Sequence, residues 1–140
     1  MDLRQLTPNL AVTPQISTDD VADLARAGFK VLINNRPDAE VGPAEDSTAM
    51  REAAQAAGME YHHIPFTPGQ MTPDMVDQFA DATRAGKGPA VAYCRSGTRS
   101  TTLWAMTQSG RRPVDEILKM SAGAGYDLSK MAPLLGKQRG

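Results

Sequence analysis

Ala90-Val91-Ala92-Tyr93-Cys94-Arg95-Ser96-Gly97-Thr98-Arg99-Ser100 is the stretch around which the chain is organised. An apolar, β-prone run ends on Cys94, the only cysteine. A short loop with one glycine follows, and Ser100 to Ser109 reads as a helix. A thiol so placed sits at the positive end of a helix, among backbone N–H groups, with Arg95 and Arg99 at its flanks. Each of these features favours thiolate over thiol. The same N–H groups can hold a tetrahedral anion or a sulfur-bearing group against the nucleophile. A lone cysteine at a strand end is more often a small, inert buried hydrophobe. A packed core, however, does not want two arginines, a glycine and three hydroxyl residues in the loop that follows. The stretch therefore reads as a nucleophile in an anion cradle.

Upstream, Leu10-Ala11-Val12 is a short strand candidate closed by Pro14. Ser17 or Thr18 caps a helix with Asp19 and Asp20 in its first turn, and Gly28 ends it. Phe29 to Ile33 reads as a buried strand, followed by a loop from Asn34 to Pro43. A helix over Asp46 to Ala57 stops at Gly58, and Glu60 to Ile64 is the next strand. Pro65 to Pro73 is loop, and Thr72 with Pro73 opens a helix to about Ala85. After the cradle, a short helix from Val114 to Met120, a flexible linker over Ser121 to Gly125 and a last helical stretch over Leu128 to Leu135 are expected. Lys137 to Gly140 reads as frayed.

Strands alternating with helices imply right-handed βαβ crossovers. The expected fold is α/β in three layers, a mostly parallel sheet of four or five strands with helices on both faces. In such sheets ligands bind beyond the carboxyl ends of the strands. That rule brings together the loops 34–43, 65–73 and 94–100.

At 140 residues the chain reads as a single domain over its whole length. Hydrophobic residues make up 41% and charged ones 22%, as in ordinary soluble proteins. A net charge of −1 argues against nucleic acid or membrane as partner. The start Met1-Asp2-Leu3-Arg4 has no apolar signal core, so a reduced, cytoplasmic thiol is expected. One cysteine allows neither an internal disulfide nor a multi-cysteine metal site, and no cofactor is called for. His62 and His63 are adjacent on a strand and point to opposite faces, which argues against a shared metal.

Two superfamilies share this arrangement. Cys94 and Arg99 are separated by four residues, as in the active-site loop of single-domain rhodanese sulfurtransferases; cysteine-dependent phosphatases have five. Yet Leu6-Thr-Pro-Asn-Leu-Ala-Val-Thr-Pro-Gln15 and Val31-Leu-Ile-Asn-Asn-Arg-Pro-Asp38 resemble the opening of the compact dual-specificity phosphatases. Over nearly its whole length the chain resembles the bacterial family of the beta-lactamase-hydrolase-like protein, phosphatase-like domain (DUF442). Its members occur alone or fused to sulfur-oxidising metallohydrolase domains. The resemblance implies a cysteine-phosphatase-like fold, Cys94 as nucleophile and Arg99 as the anion-clamping arginine. It also implies Ser100 as the hydroxyl that helps activate or release the thiolate, and a cradle of N–H groups running from Arg95 through Ser96, Gly97 and Thr98 to Ser100. A small anionic sulfur or phosphate substrate, an acceptor thiol and association with a sulfide-oxidation enzyme follow from it as partners.

The departure from the phosphatase pattern bears on the reaction. Dual-specificity phosphatases carry a general-acid aspartate on the loop aligned here with Pro65–Pro73, which has no carboxylate. Asp74 is next in line, but it falls in a first helical turn, where the helix dipole is reason enough for it. Sulfur transfer needs no such acid, because sulfite or a persulfide leaves as an anion. The leading expectation is thus a sulfurtransferase carrying sulfane sulfur on Cys94. A phosphatase working through a phosphocysteine is the alternative, and a non-catalytic sulfur or redox sensor a third. Arg36 follows a strand end and is a candidate for substrate binding, or equally a solvated loop arginine or one paired with Asp38 or Glu40. Tyr126 is read as a packing or capping residue slightly ahead of a wall over the pocket mouth.

Overall fold

The computed structural model describes residues 1–136, so the stretch 137–140 that was read as frayed lies outside the described residues. A central five-stranded sheet has the order β1-β2-β5-β3-β4. Its strands are β1 (Arg4–Thr7), β2 (Leu10–Thr13), β3 (Val31–Asn34), β4 (Glu60–His63) and β5 (Ala90–Tyr93). β2, β5, β3 and β4 run parallel, whereas β1 pairs antiparallel with β2 at the edge. The helices are α1 (Thr18–Arg26), α2 (Ser47–Ala56), α3 (Pro73–Arg84), α4 (Thr98–Gln108), α5 (Val114–Gly123) and α6 (Ala132–Leu135).

β5 is the middle strand, and its period-two alternation splits the core. Ala90 and Ala92, with Val31 and Ile33 of β3, join Phe79 of α3 and Leu103 of α4 on one face. Val91, Tyr93 and Leu32 join Val21 and Leu24 of α1 and Met50 of α2 on the other. A strand covered on both faces needs apolar residues at every position, which is why Ala90–Tyr93 reads as an unbroken apolar run. Being central, β5 also delivers Cys94 to the middle of the sheet's carboxyl edge.

Local signals account for the helix boundaries. Ser17 and Asp20 form a reciprocal capping box at α1, and Thr72 caps α3 with Pro73 in the first position. β1 escaped the sequence reading because Arg-Gln-Leu-Thr shows little alternation and only Leu6 is buried. The expected linker Ser121–Gly125 is instead mostly helix, with α5 running to Gly123. Its alanines sustain the helix, and Gly125, at φ 98°, ends it. The Tyr126 N–H reaches the Ser121 carbonyl at 2.9 Å and the Gly125 N–H that of Ala122 at 2.9 Å. This paired closure is a Schellman motif, and it aims Tyr126 back at the loop after β5. The final stretch is a 3-10 turn, Ser129–Met131, running into α6. No helix among the described residues is long and apolar enough to cross a membrane.

Candidate active site

Three loops meet at the carboxyl edge, and hydrogen bonds hold them there. The Asn35 N–H binds the Tyr93 carbonyl at 2.8 Å, and the Phe66 N–H binds the Asn35 carbonyl at 2.9 Å. The Asn35 amide donates to the Ile64 carbonyl at 2.9 Å, and the Ser100 hydroxyl donates to Asn35 Oδ1 at 2.8 Å. One buried asparagine thus ties the ends of β3, β4 and β5 to the first turn of α4.

Cys94 is fully buried under its own loop, and the Gly97 N–H points at its sulfur at 3.1 Å. Gly97 takes φ 92° and is the N-cap of α4, a left-handed conformation that swings successive N–H groups inward. In the first turn of α4 the Thr98 N–H reaches the Ser96 hydroxyl at 3.4 Å, while those of Arg99 and Ser100 have no carbonyl a turn earlier to bind. Outside, Ser96 and Thr98 hydroxyls bond each other at 3.0 Å, and the Arg95 carbonyl accepts from the Gln15 N–H at 3.2 Å. The Arg95 side chain is exposed. Tyr126 closes the outer wall by donating its hydroxyl to the Ser96 carbonyl at 3.1 Å, so of the two readings of this tyrosine the structure supports the wall. Burial first, and the charge of Cys94 second, push the Tyr126 phenol above its ordinary range, which keeps it a donor.

The hydrogen bond to Glu40 first, and the nearby charge of Cys94 after it, push the Arg99 guanidinium above its ordinary value. Its Nη1 donates to the Phe66 carbonyl at 2.7 Å and to Glu40 Oε2 at 3.0 Å, and its Nη2 to Glu40 Oε1 at 2.7 Å. Glu40 in turn accepts from Arg36 Nε at 3.3 Å. Arg36 also donates to the Glu40 carbonyl and to Gln15 Oε1, each at 3.1 Å. The structure therefore gives Arg36 the carboxylate pairing, its guanidinium engaged by Glu40 and Gln15. Ser100 likewise spends its hydroxyl on Asn35. Asp74 is exposed in the first turn of α3. His62 pairs with Glu60 at 2.6 Å, and His63 meets the Arg36 carbonyl at 2.9 Å.

Sequence reasoning did not single out Asn35 or Glu40 as site residues. Both lie in the 34–43 loop that the topology rule brings to the site, but their partners are far apart in sequence and leave no local trace. Glu40 is delivered by a chain of short-range contacts. Asp38 accepts from both the N–H and the hydroxyl of Ser47 at 2.8 Å, which folds the loop back over the site.

The profile of the beta-lactamase hydrolase-like protein, phosphatase-like domain, matches residues 2–111. The beta-lactamase hydrolase-like protein of Xylella fastidiosa (strain Temecula1) is 30% identical over 140 residues, 99% of this chain. Those residues are 32% of the Xylella protein, so the chain spans about a third of that curated relative. The crystal structure of a candidate phosphatase from Neisseria meningitidis is 31% identical, covers 99% of both chains and superposes with a TM-score of 0.86. The core catalytic domain of the PP-IP phosphatase SIW14 from Saccharomyces cerevisiae, in complex with citrate, shares the fold at 10% identity. Its TM-score is 0.72, over 99% of this chain and 86% of that one. These likenesses favour the phosphatase alternative over the sulfur-transfer reading that the sequence put first.

Proposed function

The chain belongs to the family of the beta-lactamase hydrolase-like protein, phosphatase-like domain, and from that premise we propose that it is a cysteine-based phosphatase acting on aryl phosphate monoesters. The observation that carries this reading is the arrangement at Cys94, a buried sulfur with the Gly97 N–H on it and the charge of Arg99, from the first turn of α4, near it. In the first step the Cys94 thiolate attacks phosphorus and the bond to the leaving oxygen breaks. The result is a phosphocysteine and a phenolate, which takes its proton from solvent. In the second step water attacks phosphorus, inorganic phosphate departs and the thiolate is restored. Loop N–H groups and Arg99 hold the three equatorial oxygens, where charge gathers in the transition state. The restriction to aryl esters comes from the leaving group. Pro65–Pro73 offers no carboxylate, Asp74 stands exposed on α3, and Glu40 is bound by Arg99.

One observation favours a second reading, rhodanese-type sulfur transfer through a Cys94 persulfide. Four residues between Cys94 and Arg99 make a tighter loop than the five of the phosphatases, and a sulfite leaving group needs no acid. A direct test is to incubate the protein with 4-nitrophenyl phosphate, or with thiosulfate and a thiol acceptor, and weigh the trapped intermediate. A phosphoryl increment on Cys94, with ester turnover lost in Cys94→Ser, is the expected result. A single added sulfur with no ester turnover would replace the phosphatase by the sulfurtransferase.

A further inference from the structure

An arginine carries five N–H donors on three nitrogens, and here their uses can be counted. Both N–H groups of Arg99 Nη1 are engaged, one by the Phe66 carbonyl and one by Glu40 Oε2. One N–H of Nη2 goes to Glu40 Oε1. The Nε–H and the second Nη2 N–H remain. These two lie side by side on the lateral edge of the guanidinium, the edge that grips an oxyanion in two parallel hydrogen bonds. With the terminal edge taken by Glu40 and Phe66, this lateral edge is what Arg99 has left to offer an oxyanion.

We infer that Glu40 is a positioning residue: its carboxylate clasps the terminal edge of Arg99 and so turns the lateral edge toward the substrate oxyanion at Cys94. Arg36 completes the device. A lone carboxylate this close would offset the charge of Arg99 and repel an incoming dianion. Arg36, 16% exposed and on Glu40 Oε1, returns the group to a net positive charge. Both arginines and the carboxylate are largely shielded, with Arg99 13% and Glu40 28% exposed, so solvent does not screen the arrangement away. The Phe66 carbonyl fixes the rest of the end. Arg99 is thus held on one edge and offered on the other.

The inference rests on the reading of Cys94 and Arg99 as an anion site, and its test separates the two. Protection of Cys94 from iodoacetate by inorganic phosphate reports occupancy of the cradle whatever the reaction is. Glu40→Gln keeps shape but sets an amide N–H against a guanidinium N–H, so the terminal edge cannot stay clasped on both nitrogens. Expected are a protein still folded with its melting temperature lowered only by the share the ion pair contributes, phosphate protection lost, and turnover of 4-nitrophenyl phosphate by the folded protein down by about 10²-fold, as a misplacement of order 1 Å costs. In an Arg99→Lys background the same change should add little, since the group it positions is gone. Glu40→Gln with wild-type turnover, or with tighter phosphate protection, would overturn the inference while leaving the anion site intact. A wild-type protein that phosphate does not protect and that turns over neither ester nor thiosulfate would overturn the site reading itself.

Discussion

The Ser100 hydroxyl donates to Asn35 Oδ1 at 2.8 Å, and both residues are essentially without solvent exposure. The bond joins the first turn of α4 to the exit of β3 across the floor of the site. Its consequence is that the cradle is anchored to the sheet by a side-chain pair 65 residues apart in sequence.

Ser100→Ala should therefore act first on stability. It strands a buried amide oxygen, at a cost of about 1–3 kcal/mol. Urea denaturation should show that loss, and turnover corrected for the folded fraction should fall only modestly. A large fall in turnover with stability untouched would instead support a hydroxyl acting on the thiolate.

Gly97→Ala should be the most disruptive change in the loop short of Cys94 itself. The φ of 92° disfavours any side chain by about 1–2 kcal/mol. In addition, a new Cβ would stand 2.1 Å from the Tyr126 hydroxyl and 2.8 Å from the adjoining ring carbon. The ring must be displaced, taking with it the bond to Ser96. In the double variant with Tyr126→Ala the clash is gone and only the backbone strain stays. Part of the lost stability should then return, as measured by thermal melting.

These residues also show what could be read in advance. The unbroken apolar run Ala90–Tyr93 and the glycine at 97 are written locally, and so are the strand, the cradle and the gathering of three loops. β1 was not, because a mostly exposed edge strand needs little apolar alternation. The wall made by Tyr126 depends on a Schellman turn that runs one turn beyond where a Ser-Ala-Gly-Ala-Gly stretch reads as a linker. Asn35 and Glu40 work through partners distant in sequence, and nothing in their neighbours distinguishes them from ordinary loop polar residues. The reaction was the least legible, since loop length and the missing acid point one way and the family another.

Glu40 gives a pH signature. The hydrogen bond from Arg99 holds its carboxyl below the ordinary glutamate range, and burial pushes back only in part. A depressed folded value means that the pairing contributes its full stability above the unfolded value, about 4.3, and loses it as pH falls through the lower folded value. Near neutral pH, Glu40→Gln and the wild type should respond alike to small pH changes. Below about pH 4 the wild-type melting temperature should drop more steeply than that of Glu40→Gln. Asp38, depressed chiefly by the Ser47 hydroxyl, titrates in the same window. Asp38→Asn is therefore the control that isolates the share of Glu40.

Asp74 tests whether a general acid exists. A positioned acid is worth about 10²–10⁴-fold in rate, whereas an aspartate in a first helical turn is worth about 0.3–1 kcal/mol of stability. Thr72 already caps that turn through the Met75 N–H at 3.3 Å, and Asp74 is exposed on it. Asp74→Asn should accordingly lower the melting temperature slightly and leave turnover of 4-nitrophenyl phosphate within about twofold of wild type, well short of what an acid supplies. Without an acid the rate must also follow the leaving group. Phenyl phosphate should be slower than the nitrophenyl ester, and an alkyl phosphate slower again, in proportion to the basicity of the departing oxygen. Comparable rates on all three, lost together in Asp74→Asn, would mean that the loop 65–73 brings Asp74 over the cradle during turnover and that the aryl restriction is wrong.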